Sequence, residues 1–260
     1  MPAKDRNNPV RQDSSESDYS LMEFMAEYPD DAACLARLWR DRFASDGYHA
    51  HCPRCERERK FHRTRSRASY TCDTCGLHVH PMAGTIFEKS TTSLHQWFYA
   101  MYLMTSTRCG ISAKQLEREI GVTYKTAHRI MKKIRTELMH DLDELLSGDV
   151  EIDETSWGGK PRGPKMDTAE AAAWREAKPT VLGMVERGGR VRARVIASRD
   201  RHTNTIEGFF GNLKTGMRGA YNKVSLAYLQ SYLDEYAWRY NARHNGRAMF
   251  AQLLQRAAAA

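Results

Sequence analysis

Residues 52–75 read CPRCERERKFHRTRSRASYTCDTC, two C-x-x-C pairs, Cys52/Cys55 and Cys72/Cys75, with sixteen residues between them. A C-x-x-C knuckle brings two thiolates to one cation from a single tight turn. Two knuckles joined by a hairpin complete the four-sulfur tetrahedron that Zn2+ favours, so the spacing predicts a structural zinc ribbon. Two redox pairs or disulfides are the competing reading; against it stand the turn residues Pro53 and Gly76 and the lack of a recognisable secretory leader. His49, His51, His62, His78 and His80 flank the pairs as substitute ligands, although four thiolates suffice.

Working outward, the chain of 260 residues is 41% hydrophobic, enough for a core in at least one of two or three units. Forty Lys and Arg against thirty-two Asp and Glu leave a net charge of +8, which suits a polyanionic partner such as nucleic acid. No apolar stretch approaches the roughly eighteen residues that a membrane crossing needs. A cytoplasmic protein is expected, in which Cys34 and Cys109 stay reduced and pack as small hydrophobes.

Residues 1–18 are polar and without an apolar face, and are expected to form a disordered lead. From Ser20 apolar residues recur at helical spacing through Leu21, Phe24 and Met25 and again through Leu35, Leu38 and Trp39, with Pro29 and Asp30 opening the second helix. These helices and the ribbon make up residues 19–88. In residues 89–147, a core helix led by Thr and Ser caps precedes ISAKQLEREIGVTYKTAHRIMKKIRTEL, in which one helix stops at Gly121 and another opens at Thr123. That is the layout of a helix-turn-helix, with Ile111, Leu116, Ile120, Val122, Ala127, Ile130 and Ile134 as its seam. Tyr124, Lys125, Thr126, His128 and Arg129 then occupy the part of the second helix that such modules insert into the major groove, with Lys132, Lys133 and Arg135 placed to meet phosphates. An ordinary amphipathic helical hairpin is the alternative.

After Gly148 three strand-like runs, DVEIDETSWGG, PTVLGMVERGG and RVRARVIASR, predict a meander. The intervening KPRGPKMDTAEAAAWREAKP reads as a flexible or DNA-facing loop, and helices follow from Thr203. Asp153 lies within the first run. Glu207 and Lys214 are seven residues apart and share a helix face. Carboxylates holding two Mg2+ ions are what DNA phosphoryl transfer commonly requires, although any one of these acids can equally be a solvated surface charge.

Together CPRC…CDTC, PMAGTIFEKSTTSLHQWFYAMYLM, VEIDETSWGGK, RHTNTIEGFFGNLKTGMRGAYNKVS and YLDEYAWRYNAR resemble bacterial insertion-sequence transposases of the group numbered fifteen ninety-five. The resemblance spans roughly residues 20–250. It implies a multidomain α+β chain: zinc ribbon, helical helix-turn-helix domain, and an incomplete ribonuclease-H-like α/β domain of DDE type at 148–260. It further implies that Asp153 is the first catalytic carboxylate, that Glu207 is the third acid with Asn204 beside it, and that Lys214 is their basic companion. Arg218, Tyr221, Glu235, Arg239, Tyr240 and Asn241 match positions that pack or contact DNA. The implied partner is double-stranded DNA, as terminal inverted repeats and target, held by a homo-oligomer.

One departure stands out. A complete domain of that fold runs on through a helix and a fourth strand that carries the second Asp, whereas here only Asp167 and Asp200 lie between Asp153 and Glu207. An in-frame deletion joining ASRD to RHTN explains this. Two functions are therefore expected to compete: a transposase with impaired chemistry, and a catalytically dead DNA-binding remnant or transposition repressor.

Overall fold

The structure, a computed structural model, describes residues 19–107, 110–140, 146–158, 167–176, 178–186, 189–196, 207–221, 224–242 and 246–259. The expected lead at 1–18 and the residues Cys109, Asp200 and Asn204 lie outside it. Mixed α+β architecture is present, with two antiparallel sheets among the described residues. No described helix is long and apolar enough to cross a membrane.

Helices α1 (Leu21–Glu27) and α2 (Asp31–Arg42) begin where their capping residues stand. Ser20 and Glu23 form a reciprocal capping box, and Asp30 accepts from the Ala33 amide at 2.8 Å. The first sheet is a meander, β1 (His49–Cys52), β2 (Arg57–Arg63), β3 (Tyr70–Cys72) and β4 (His78–Val79), in sequential order. It leans on α2 through Trp39, whose ring stacks on Tyr70 at 4.2 Å between centroids and meets Phe61 at 5.3 Å. Helix α3 (Leu94–Ser106) starts from the Ser93/Gln96 capping box and buries Leu94, Trp97, Phe98 and Met101. Helices α4 (Ala113–Ile120) and α5 (Tyr124–Lys133) close over it, and α5 runs on into a wider π turn, Ile134–Leu138.

The second sheet holds β5 (Val150–Ser156), β6 (Thr180–Glu186) and β7 (Val191–Ile196) in sequential order, as the three strand-like runs predict. One expectation fails between β5 and β6. The stretch read as a loop contains helix α6 (Thr168–Glu176), started by Asp167, which accepts from the Glu170 amide at 2.7 Å, and carried by alanines with high helix propensity.

Helix α7 (Glu207–Gly216) continues into a second π turn (Met217–Tyr221), and α8 (Leu226–Asn241) lies against β7. Phe209, Phe210 and Leu213 of α7 and Leu229, Leu233 and Tyr236 of α8 form one core with Val181, Val191 and Ala193 of the sheet. Helix α8 also protects the outer edge of β7. The Asn241 amide accepts from Val191 N–H at 2.7 Å and donates to Val191 C=O at 3.1 Å, while Gln230 accepts from Val195 N–H at 2.9 Å and donates to Ala193 C=O at 3.0 Å. Eleven residues of helix cover about 16 Å, which reaches across the four residues of strand between these two anchors.

Helix α9 (Gly246–Ala259) turns away from this sheet to the first core, where Phe250 meets Tyr19, Phe24, Tyr28, Phe98 and Tyr102. Trp238 of α8 reaches the same core.

Candidate functional site

The four thiols of Cys52, Cys55, Cys72 and Cys75 converge, with sulfur atoms all within 4.8 Å of one another and Cys52 and Cys75 at 3.5 Å. Four thiolates about 2.3 Å from a zinc ion stand about 3.8 Å apart. The cluster therefore fits a tetrahedral metal such as zinc. Each knuckle is closed by a backbone hydrogen bond, from Cys55 N–H to Cys52 C=O in the first and from Gly76 N–H to Cys72 C=O in the second, and each second cysteine is followed by a left-handed residue, Glu56 (φ 52°) or Gly76 (φ 72°). Two of the flanking histidines have other partners. His49 pairs with Asp46 at 2.6 Å, and His78 shares a hydrogen bond of 2.9 Å with the Thr71 hydroxyl.

Between α4 and α5 the turn is built as the sequence suggests. Gly121 is left-handed at φ 67°, and both Gly121 and Val122 donate to Glu117 C=O. Thr123 then caps α5 by accepting from the Thr126 amide. The seam residues Ile111, Leu116, Ile120, Ala127, Ile130 and Ile134 are all buried.

The surface of α5 divides into two stripes, which the sequence reading treated as one face. Lys125, Arg129 and Lys132, spaced four and three residues apart, are exposed. Tyr124, His128 and Arg135 instead turn toward the C-terminal half: the His128 ring meets the Tyr228 ring edge-on at 5.4 Å, and the Lys132 ammonium lies 5.1 Å from the same ring. Burial, reinforced by Arg135 and Lys132, holds His128 below the ordinary imidazole value, so it is neutral near pH 7. Thr126 is tied to Thr123 by a hydroxyl contact of 3.1 Å, and Lys133 donates to Ile86 C=O at 3.4 Å.

Arg135 corrects the expectation of a phosphate contact. It is buried at 1% exposure and pairs with Glu235, which is at 0%. Its guanidinium lies 4.0 Å from the centre of the Tyr232 ring and 5.3 Å from that of Tyr221. Arg239 also reaches Glu235, at 2.9 Å, and donates to Thr107 C=O, while Tyr221 donates to Glu235 at 3.0 Å. Of the positions left open between packing and DNA contact, Tyr221, Glu235, Arg239 and Asn241 pack. Tyr240 stands edge-on to Phe209 at 5.9 Å, and Arg218 is exposed. This buried node escaped the sequence reading, because a basic residue in a basic helix gives no sign of a partner a hundred residues away.

Asp153 sits in the middle of β5 opposite Gly183, which in turn pairs with Ala193. Residues in register share a sheet face, so Asp153 is on the side of Val181, Val191 and Ala193, the side on which α7 packs. Its carboxylate accepts from the Glu154 amide at 2.7 Å. Glu207 opens α7, and Lys214 stands in its last turn with its ammonium 5.8 Å from the Phe210 ring centre.

Comparison with known proteins points the same way as the motifs. Residues 197–241 match the family described as the ISXO2-like transposase domain. The chain is also 36% identical, over 106 residues, to an uncharacterized protein in the transposable element ISH50 of Halobacterium salinarum; the aligned part is 40% of this chain and 35% of that relative. The chain thus spans about a third of the length of the curated relative it matches. No solved structure matches. Both similarities support an insertion-sequence transposase of the group whose motifs the sequence resembles.

Proposed function

We propose that this chain binds the terminal inverted repeats of an insertion element as a homo-oligomer, and that it belongs to a transposase lineage whose cleavage and strand-transfer chemistry is impaired here. The observation that carries the DNA-binding reading is the exposed cationic stripe Lys125, Arg129 and Lys132, on the second helix of a turn capped at Gly121 and Thr123. Arg129 faces base edges and Lys132 a phosphate. Residues 19–88 supply the zinc ribbon, 89–147 the reading module and 148–260 the remains of the DDE domain.

In an intact site Asp153 and Glu207, with Asn204 and Lys214 nearby, would hold the Mg2+ ions that activate the attacking oxygen and stabilise the leaving one. The placement of Asp153 on the face where α7 packs supports that role. The second carboxylate is the weak point, because Asp167, one of two candidates, is spent on capping α6. That use favours the second reading, a protein that occupies the element's ends without cutting them.

The test is selection of bound duplexes from a random pool, followed by a Mg2+-dependent cleavage and joining assay on the selected sequence with the native chain and Asp153→Asn. Specific binding without cleavage by either chain establishes the remnant. Cleavage lost only in the variant establishes a working transposase, and failure to enrich any duplex removes the DNA-binding reading.

A further inference from the structure

Where the inner stripe of α5 meets the C-terminal half, the structure leaves a cleft of about 320 Å³. Tyr124 and His128 of α5, Tyr221 of the second π turn, and Tyr228 and Tyr232 of α8 supply its rings, and Lys114, ion-paired with Glu117 at 2.6 Å, stands at its edge. Its floor is rigid. Tyr221 is fixed by its hydrogen bond to Glu235, and Tyr232 is held against the Arg135 guanidinium, the two rings standing at 70° with centroids 4.7 Å apart. Its walls differ, since Tyr124 and Tyr228 are 49% and 37% exposed and come from separate elements. No carboxylate is among the described lining residues.

We propose that this cleft receives one unstacked nucleobase of a DNA strand that leaves the duplex beside α5. Every base has a π face, so paired tyrosines bind single-stranded nucleic acid with little sequence preference, and Lys132, whose ammonium lies 5.1 Å from the Tyr228 ring centre, is the cation beside them that can meet a phosphate. The ligand must be flat and aromatic inside and anionic outside, which describes a nucleotide and excludes an acidic peptide. The volume sits at the small end of the range for ligand pockets, about 300 Å³ upward, and so holds a base rather than a stacked run. Neutral His128, between Tyr124 and Tyr228, offers a base edge both a donor and an acceptor without placing a buried charge against it. The location agrees with the ligand, because the exposed Lys125 and Arg129 stripe lies one helix face away. The inference rests on the reading of α5 as the DNA-contacting helix.

The experiment measures the affinity of the full zinc-loaded chain for a labelled oligothymidylate and for a duplex of unrelated sequence at low salt, with Tyr228→Leu, Tyr228→Phe and Arg129→Ala alongside. The ratio of single-strand to duplex affinity falls by about five- to a hundredfold in Tyr228→Leu. Tyr228→Phe, which keeps the ring, restores it. Arg129→Ala weakens the duplex more than the single strand. An unchanged ratio in Tyr228→Leu, or a native chain that binds duplex but no oligothymidylate, overturns the cleft assignment and leaves the DNA-binding reading intact. Tighter duplex binding in Tyr228→Leu, with the single strand unaffected, also overturns it and makes Tyr228 a cover on the reading helix. Binding to neither probe removes the DNA-binding reading and the cleft with it.

Discussion

Arg135 and Glu235, a hundred residues apart, form a buried ion pair with 2.5 Å between Nε and Oε2. The first lies in the π turn that continues α5 and the second mid-way along α8, so the pair fixes α5 to the C-terminal half. Burying two charges is expensive, and the geometry offsets that cost only because Arg239 and Tyr221 also bond the carboxylate. Arg135→Ala would leave that carboxylate short of a partner in the interior and is expected to cost about 3–5 kcal/mol in urea denaturation. A shift within error would show that the two halves are not coupled through this pair.

The same node sets an acid limit. Burial alone would raise the Glu235 carboxyl, but Arg135 and then Arg239 outweigh it and hold the group below the ordinary glutamate value. Such a group stabilises the fold fully above its unfolded value and loses that contribution as pH falls through its lower folded one. Stability of the native chain should therefore decline on acidification below the usual glutamate range, and Glu235→Gln should flatten that part of the profile. Parallel curves for the two proteins would place the acid sensitivity elsewhere.

Gly110, just before α4, has φ 81°, and a methyl there would fall on the Tyr221 hydroxyl. That hydroxyl cannot yield easily, since it is pinned to Glu235. Gly121, at φ 67°, has nothing within 4 Å of the equivalent position. Gly121→Ala thus meets only the backbone cost, about 1 kcal/mol, whereas Gly110→Ala adds the clash and is expected to reach about 2–4 kcal/mol. Equal melting temperatures for the two variants would refute the close contact with Tyr221.

Legibility in the sequence followed the range of the interaction. The knuckles, Gly121 with Thr123, the Asp30 cap and the three strands are each set within a few residues, and the structure has them where the spacing puts them. Helix α6 is equally local, with Asp167 and Glu170 as its capping box, but the prolines and glycines around it give the stretch the composition of a loop. Arg135 with Glu235, Asn241 on the β7 edge and Phe250 in the first core are pairings between distant segments, which periodicity cannot reveal. The candidate site is legible on the same terms: the sequence marks α5, but which of its side chains face the C-terminal half depends on the distant Tyr228.

Asn241 and Gln230 replace a neighbouring strand on the open side of β7. Asn241→Ala removes two hydrogen bonds to one buried stretch of edge, and is expected to cost about 1–3 kcal/mol and to raise aggregation on heating. Turbidity together with chemical denaturation checks both. A variant that is less stable yet no more aggregation-prone would mean that the amide supports packing without guarding the edge.

In the candidate zinc ribbon, the four-cysteine cluster and the core meet at the same residues. Cys52 and Cys72 are buried with Phe61 and Tyr70 in the cluster that contains Trp39, so the thiolates end strands whose inner faces pack on α2. Short strands of this kind lack a core of their own, and their folding is coupled to metal binding. Cys52→Ser should lower bound zinc from one equivalent to a small fraction and unstack Tyr70 from Trp39, which lie 7° from parallel. The near-ultraviolet circular dichroism of the aromatic pair should fall accordingly, and a strong chelator added to the native chain should give the same loss. A full equivalent of zinc in the variant would break the four-cysteine assignment. Loss of zinc with an unchanged aromatic signal would show instead that the packing of Trp39 on the sheet, and not the metal, holds the ribbon in shape.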